Sequence, residues 1–416
     1  MISIEEARAH ISSCVAALEA RRVPIEQALG CVAATDVIAT EAIPGFDNSS
    51  MDGFALRADD TSEHGAQLRI IDVVLAGSTS TRTIEPGEAT RIMTGAPLPP
   101  GADAVEMVEE VSVDPTTATV TVRRRVTRGT FVRHRGDDVA VGDVLVRRGE
   151  VLTDARIGVL ASQGLVEVEA IPRPRVGVLS TGDELTDAGD PLAPGAIRDV
   201  NRPMLMALVR DAGMDPVDLG AVRDRHDETL AAISSAAATC DAVLTTGGVS
   251  MGDVDFVKVA IGELGGPEAR SLQIAMRPGK PMAFGCVGER RVPVFGLPGN
   301  PVSTKVSFEV LARPALLARA GRTVSDRLTV PAIADVPLSR ERDGKTHMVH
   351  VDLGLGPDGR FHIREARREG SHLLHAVASA NAIAVIPDGE GARAGDEVRV
   401  MVLRPDDVVT RAPRDG

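Results

Sequence analysis

Val176-Gly177-Val178-Leu179-Ser180-Thr181-Gly182-Asp183-Glu184-Leu185 opens the part of the chain whose pattern decides the fold. A short apolar run, strand-like over 176–180, breaks into a glycine turn carrying two acids. A helix follows, with Asn201 as its cap, Pro203 in its first turn and Gly213 closing it. The rhythm then repeats: VDLGAV, a helix led by Asp227, the apolar run DAVLTT, a helix near 254–263, the strands MAFGCV and VPVFGL, and a long helix over 303–319. Strands and helices alternating at these lengths predict a doubly wound α/β domain with a largely parallel sheet. Ligands of such sheets bind at the carboxyl ends of the strands.

Outward from this block the pattern changes on both sides. Upstream, Ile171-Pro172-Arg173-Pro174-Arg175 reads as a linker, preceded by short β-like runs broken by turns such as Glu85-Pro86-Gly87 and Pro99-Pro100-Gly101. The chain itself starts on a helix. Ser3 and Glu6 make a capping box, Ala7, Ile11, Cys14, Val15 and Leu18 follow at helical spacing, and Arg21-Arg22 suit a helix end. Downstream, LTVPAIADVPL, THMVHVDL, FHIREA, NAIAVIP and DEVRVMVL alternate with period two and predict a small β-barrel. Four regions result: a discontinuous N-terminal domain over 1–45 and 138–172, an inserted β-rich domain over 46–137, the α/β domain over 173–321 and a C-terminal β domain over 322–416.

Composition narrows the function. The 416 residues carry 46 Lys+Arg against 59 Asp+Glu, a net charge of −13, with 43% hydrophobic and 25% charged residues. These values exclude disordered and collagen-like chains. Aromatics amount to 2%, all Phe, so the stacking rings and positive groove of a nucleic-acid binder are missing. Cys14, Cys31, Cys240 and Cys286 show no metal or disulfide spacing and read as buried hydrophobes in a reducing compartment. No window is apolar enough to span a bilayer and the N-terminus has no signal-peptide pattern, which points to the cytoplasm.

The chemistry concentrates at strand ends. Ser180–Glu184, Thr245–Asp255 and Gly296–Pro301 are Gly- and Asp-rich loops, where glycines permit close backbone approach and helix N-termini favour oxyanions. Beside them, Arg277-Pro278-Gly279-Lys280 places two cations on a stiff backbone as an anion clamp. Glu184, Asp253 and Asp255 facing these cations suit a phosphate-bearing substrate bridged by Mg2+. There is no G-x-G-x-x-G, and no Walker loop because Pro281 follows Lys280. Gly248-Val249-Ser250-Met251-Gly252 matches the nucleophile elbow of serine hydrolases, the main rival reading. That reading needs a histidine on the same sheet, yet His347, His350, His362, His372 and His375 all fall in the β domain. In the first half, Pro44–Ala55, Arg91–Pro97 and His134–Asp138 are polar and turn-rich, either elaborate turns or binding loops.

Taken in order, FDNSSMDGFA, RIMTGAPLPPGADAV, RHRGDD, LSTGDEL, TTGGVSMGD, RPGKPMAFG and FGLPGNPVS resemble the molybdopterin molybdenumtransferases, the bacterial MoeA proteins related to gephyrin. The resemblance spans nearly the whole chain. It implies four domains in an elongated homodimer with each active site between two subunits. The implied reaction converts adenylyl-molybdopterin and molybdate to Mo-molybdopterin and AMP, with Mg2+ on Glu184 and Asp255. It further implies catalytic roles for Asp52, Thr94, Asp137, Glu184 and Asp255, and substrate contacts from Asp224, Ser250, Arg277, Lys280, Pro298, Pro301, Ser303, Lys345 and Ser371. A molybdopterin adenylyltransferase and apo-molybdoenzymes are the implied protein partners; a non-catalytic molybdopterin-binding scaffold is the alternative within the family. The sequence departs from the family at Arg277, where lysine is common, at Phe54, usually tyrosine, and over Gly344–Met348, usually G-R-x-E-F.

Overall fold

The computed structural model describes residues 1–248, 255–324, 326–365 and 374–409. Its centre is a six-stranded sheet in the order Asp215–Val222, Arg175–Thr181, Ala242–Thr246, Val292–Leu297, Pro281–Val287, Arg270–Gln273. The first four strands are parallel, and the last two turn antiparallel. Strand Ala242–Thr246 is buried at every position, as expected for a strand covered on both faces. Helices Asn201–Asp211, His226–Thr239 and Phe256–Leu264 cover the sheet.

The last helical stretch, expected as one helix over 303–319, starts at Pro301 and changes pitch. Phe308–Ala312 is a π turn between Pro301–Ser307 and Arg313–Arg319. Pro314 explains it: a proline has no amide to donate and crowds the carbonyl one turn back, and a π turn relieves both.

The first helix is shorter than its sequence suggests, Ile4–Cys14, and Arg21–Pro24 is a strand paired with Glu167–Ile171. Tertiary bonds override local propensity here. Leu18 N donates to Arg319 O and Arg319 Nη1 donates to Ala16 O, so residues past Cys14 are held extended along the last helix. Ile4, Ala7, Ile11 and Cys14 pack into the α/β core with Val176, Leu205 and Phe284. The capping box forms as expected.

Residues 53–122 form a second six-stranded sheet, ordered Ala104–Met107, Gly53–Leu56, Glu88–Ile92, Ala66–Val74, Thr119–Val122, Val111–Asp114. The C-terminal strands Thr346–Leu355, Phe361–Glu365, Thr329–Ala334, Glu397–Val402 and Ala382–Ile386 close on themselves as a five-stranded barrel. Met276–Arg277 adds to it from the α/β side, parallel to Thr346 and His347. Each element of the expected multidomain α/β plus β architecture is present. All four cysteines are buried and free. Among the described residues no helix is long and apolar enough to cross a membrane.

Candidate functional site

Three strand ends and the loops after them enclose a cavity of about 510 Å3 at the carboxyl edge of the α/β sheet. Ser180, Thr181 and Glu184 line it from the first loop, Thr246, Gly247 and Gly248 from the second, and Pro298–Pro301 with Ser303 from the third; Asn201 and Asp224 complete the wall. Gly247 adopts φ +96, and a Cβ there would stand 2.4 Å from Thr181 O. Only glycine lets these two loops touch.

Glu184 and Asp224 line the cavity, and Asp255 is near enough for its charge to act on Asp224, while Asp253 lies outside the described residues. Burial raises the Asp224 carboxyl above its ordinary value, and the charges of Glu184, Asp183 and Asp255 push it further. Asp255 stands just before helix Phe256–Leu264. The segment after Glu184 is held by Arg202, which pairs with Asp199 at 3.0 Å, Asp218 at 2.6 Å and also Asp187. Ser250 and Ser371 lie outside the described residues.

Asn201 was expected to cap a helix, and its role is different. It is the first helical residue, while Asp199 Oδ1 accepts from Arg202 N at 3.1 Å and does the capping. The Asn201 amide instead donates to Thr246 Oγ1 at 2.8 Å and to Gly299 O at 2.6 Å, joining the second and third loops. Its position two residues beyond Asp199 was the only sequence signal, and a cap explained it equally well.

The cations are placed differently from expectation. Arg277 and Lys280 do not line the cavity, although Pro281 beside them does. Lys345 Nζ donates to Asp343 Oδ2 at 2.6 Å, Arg277 Nη1 approaches the same oxygen at 3.5 Å, and His347 Nε2 lies 3.1 Å from Oδ1. The Lys345 hydrogen bond first, then His347, holds the Asp343 carboxyl at about 2. The expected positive pocket is therefore a cluster balanced by a carboxylate that sequence reading overlooked. His347, one of the β-domain histidines, is committed to this cluster.

The motifs of the first half meet one another rather than the cavity. Thr94 donates to Asp52 Oδ1 through both its amide and its hydroxyl, each at 2.7 Å. Those bonds, the amide first, lower the Asp52 carboxyl. Asn48–Ser49 pairs with Val132–Arg133, and Asp47 accepts from Arg135 N at 2.8 Å with the His134 ring 3.1 Å away. Asp137 accepts from His134 N in the same loop. Three segments distant in sequence thus make one exposed polar cluster. No residue before Ser180 lines the cavity.

Comparison with known proteins agrees with this division. Residues 2–164 match the MoeA N-terminal region (domain I and II), 177–318 a probable molybdopterin binding domain, and 334–403 the MoeA C-terminal region (domain IV). Molybdopterin molybdenumtransferase 2 of Mycobacterium tuberculosis is 36% identical over 97% of this chain and 100% of its own length. The Haemophilus influenzae molybdopterin molybdenumtransferase is 34% identical over 90% and 92%. A molybdopterin biosynthesis MoeA protein of Pyrococcus horikoshii superposes with a TM-score of 0.78 at 30% identity, covering 97% of this chain and 99% of that one. The chain belongs to the molybdopterin molybdenumtransferase (MoeA) family of transferases.

Proposed function

We propose that the cavity takes adenylyl-molybdopterin and molybdate and yields Mo-molybdopterin and AMP, with Mg2+ held by Glu184 and Asp255. Family membership gives the chain its role in molybdenum cofactor biosynthesis. One observation carries the finer reading: Glu184 and Asp224 share the cavity wall, and the charges of Glu184, Asp183 and Asp255 all act on the Asp224 carboxyl. Such a cluster repels itself unless a cation enters. The donors are hard oxygens, which suit Mg2+, an ion that uses one or two carboxylates and leaves other positions for water and phosphate. Among the described residues no three His, Cys, Asp or Glu side chains form a ready metal cage. An ion shared with the substrate needs none.

When bound, Mg2+ would neutralise the phosphoanhydride charge and make AMP a better leaving group. The chain does the rest by positioning. Gly247 and Gly248 let phosphates approach the backbone, and Pro298, Pro301 and Ser303 shape the floor. Arg202 holds the segment after Glu184 in place. Arg277, Lys280 and Lys345 form the cationic approach for molybdate, with Asp343 keeping Arg277 and Lys345 ordered until the oxyanion arrives. The Asp52–Thr94–Asp137 cluster serves the cavity of a second copy, so the working unit is a homodimer in the cytoplasm. A molybdopterin adenylyltransferase supplies its substrate and apo-molybdoenzymes take its product.

The test uses purified chain, adenylyl-molybdopterin, molybdate and Mg2+, following AMP release. Glu184→Gln and Asp255→Asn should each slow it on the order of a hundredfold. Molybdate-dependent release that survives both substitutions sinks this mechanism. Consumption of ATP with unmodified molybdopterin would replace it with adenylylation.

A further inference from the structure

The Asn201 amide is locked in one orientation by a chain of hydrogen bonds. Thr246 Oγ1 donates its only proton to Pro298 O at 3.2 Å, so toward Asn201 it acts as an acceptor. Gly299 O accepts in any case. Both amide protons of Asn201 are therefore spent, and the carbonyl oxygen cannot exchange places with the nitrogen. That oxygen, Oδ1, is buried with no hydrogen-bond partner among the described residues, and the residue that carries it is only 8% exposed in the cavity wall. A buried acceptor left unmatched costs roughly 1–3 kcal/mol, so a ligand that brings a donor gains by matching it.

The ligand group it fits is defined by charge. An amide oxygen repels phosphate and molybdate oxygens, which are acceptors only, and it attracts an N–H. Ser180, fully buried in the same wall, also has a hydroxyl without a partner among the described residues. Asn201, Ser180 and Thr246 are neutral members of the lining, and Glu184 and Asp224 are acidic ones. We propose that Asn201 Oδ1 accepts a hydrogen bond from the 2-amino group of the substrate's pterin ring and so fixes which heterocycle enters. Phosphates and their cation then lie toward Glu184. The assignment rests on the function proposed above and adds a specificity residue to it.

The experiment titrates pterin and lumazine, which has an oxygen in place of the 2-amino group, into the full chain and follows ligand fluorescence. With no Trp and no Tyr in the chain, protein emission does not interfere. A site built to bond a donor rejects the analogue lacking it, so the wild type should favour pterin over lumazine by roughly tenfold or more. Asn201→Ala should bring pterin down to the lumazine level while weakening AMP far less, the small AMP loss reflecting the two loop-bracing bonds that the side chain also makes. Thr246→Val weakens the brace but keeps the acceptor, and it should retain the preference for pterin. Undiminished discrimination in Asn201→Ala overturns the assignment, as does equal loss of pterin, lumazine and AMP, which would make Asn201 a loop brace only. A loss confined to AMP overturns it in favour of adenine. If the wild type binds neither pterin nor lumazine, the functional reading of the cavity falls first and the assignment with it.

Discussion

Asp52 accepts two hydrogen bonds from Thr94 on a single oxygen, and both favour its ionised form. Its carboxyl therefore stays charged above a lowered pKa and loses that charge as pH falls through it. Thr94→Val removes the hydroxyl and keeps the amide, so the acid limb of the pH profile for AMP release should move to higher pH; an unmoved limb would dissociate Asp52 from turnover. Asp224 behaves oppositely. Its carboxyl is raised, so the ligand-free fold is favoured below that pKa and loses stability as pH rises through it. Asp224→Asn should raise the Tm of the ligand-free chain near neutral pH, shrink the further rise produced by Mg2+, and lower activity; scanning calorimetry with and without Mg2+ checks all but the last. Glu184 and Asp255 were legible because a carboxylate in a glycine-rich strand-end loop has few structural uses, whereas Asp52 and Asp224 came only from the family resemblance. Asn201 and Asp343 were not legible, because their partners are set by loops and strands that only the folded sheet brings together.

Elements show the same division between local and long-range causes. The strand-end glycines were read as permitting close approach, and Gly247 does so against Thr181. Gly247→Ala should cost about 2 kcal/mol or more in urea unfolding, from a backbone conformation that alanine disfavours plus a backbone contact. The end of the first helix was misread because Leu18 and Arg319 bind each other over three hundred residues of chain, and no local pattern records that. On the π turn, Glu309 is 2% exposed and Arg327 bonds both its oxygens at 3.0 Å. Arg327→Leu leaves that charge to the more distant Arg313, at 3.8 Å, and should cost roughly 3 kcal/mol, whereas adding Glu309→Leu should recover much of the loss. Chemical denaturation of the single and double variants measures the difference.

For the whole molecule, the split between the cavity and the Asp52 cluster makes a quantitative demand. If each site joins Glu184 of one copy to Asp52 of another, Asp52→Asn and Glu184→Gln chains that are each inactive should restore activity when co-expressed. Half of randomly formed dimers are mixed and one of their two sites is intact, so roughly a quarter of the wild-type rate returns. No recovery, with mixed dimers shown to form, would place both residues in one chain's site. The α/β and barrel regions were legible because period and turn chemistry are local, while the meeting of 46–55, 91–97 and 134–138 was visible only as shared polarity.

The ribbon 274–277 receives the chain from two directions. Ala275 N donates to Ile2 O, and Thr346 N donates to Ala275 O, so the start of the chain and the barrel are both sewn to one short run of backbone. A barrel grafted from a relative by cutting at the 322 boundary would arrive without its stitching. Chimeras should keep their solubility only when residues 274–277 and the barrel come from the same parent, which makes the inheritable module of this fold discontinuous in sequence.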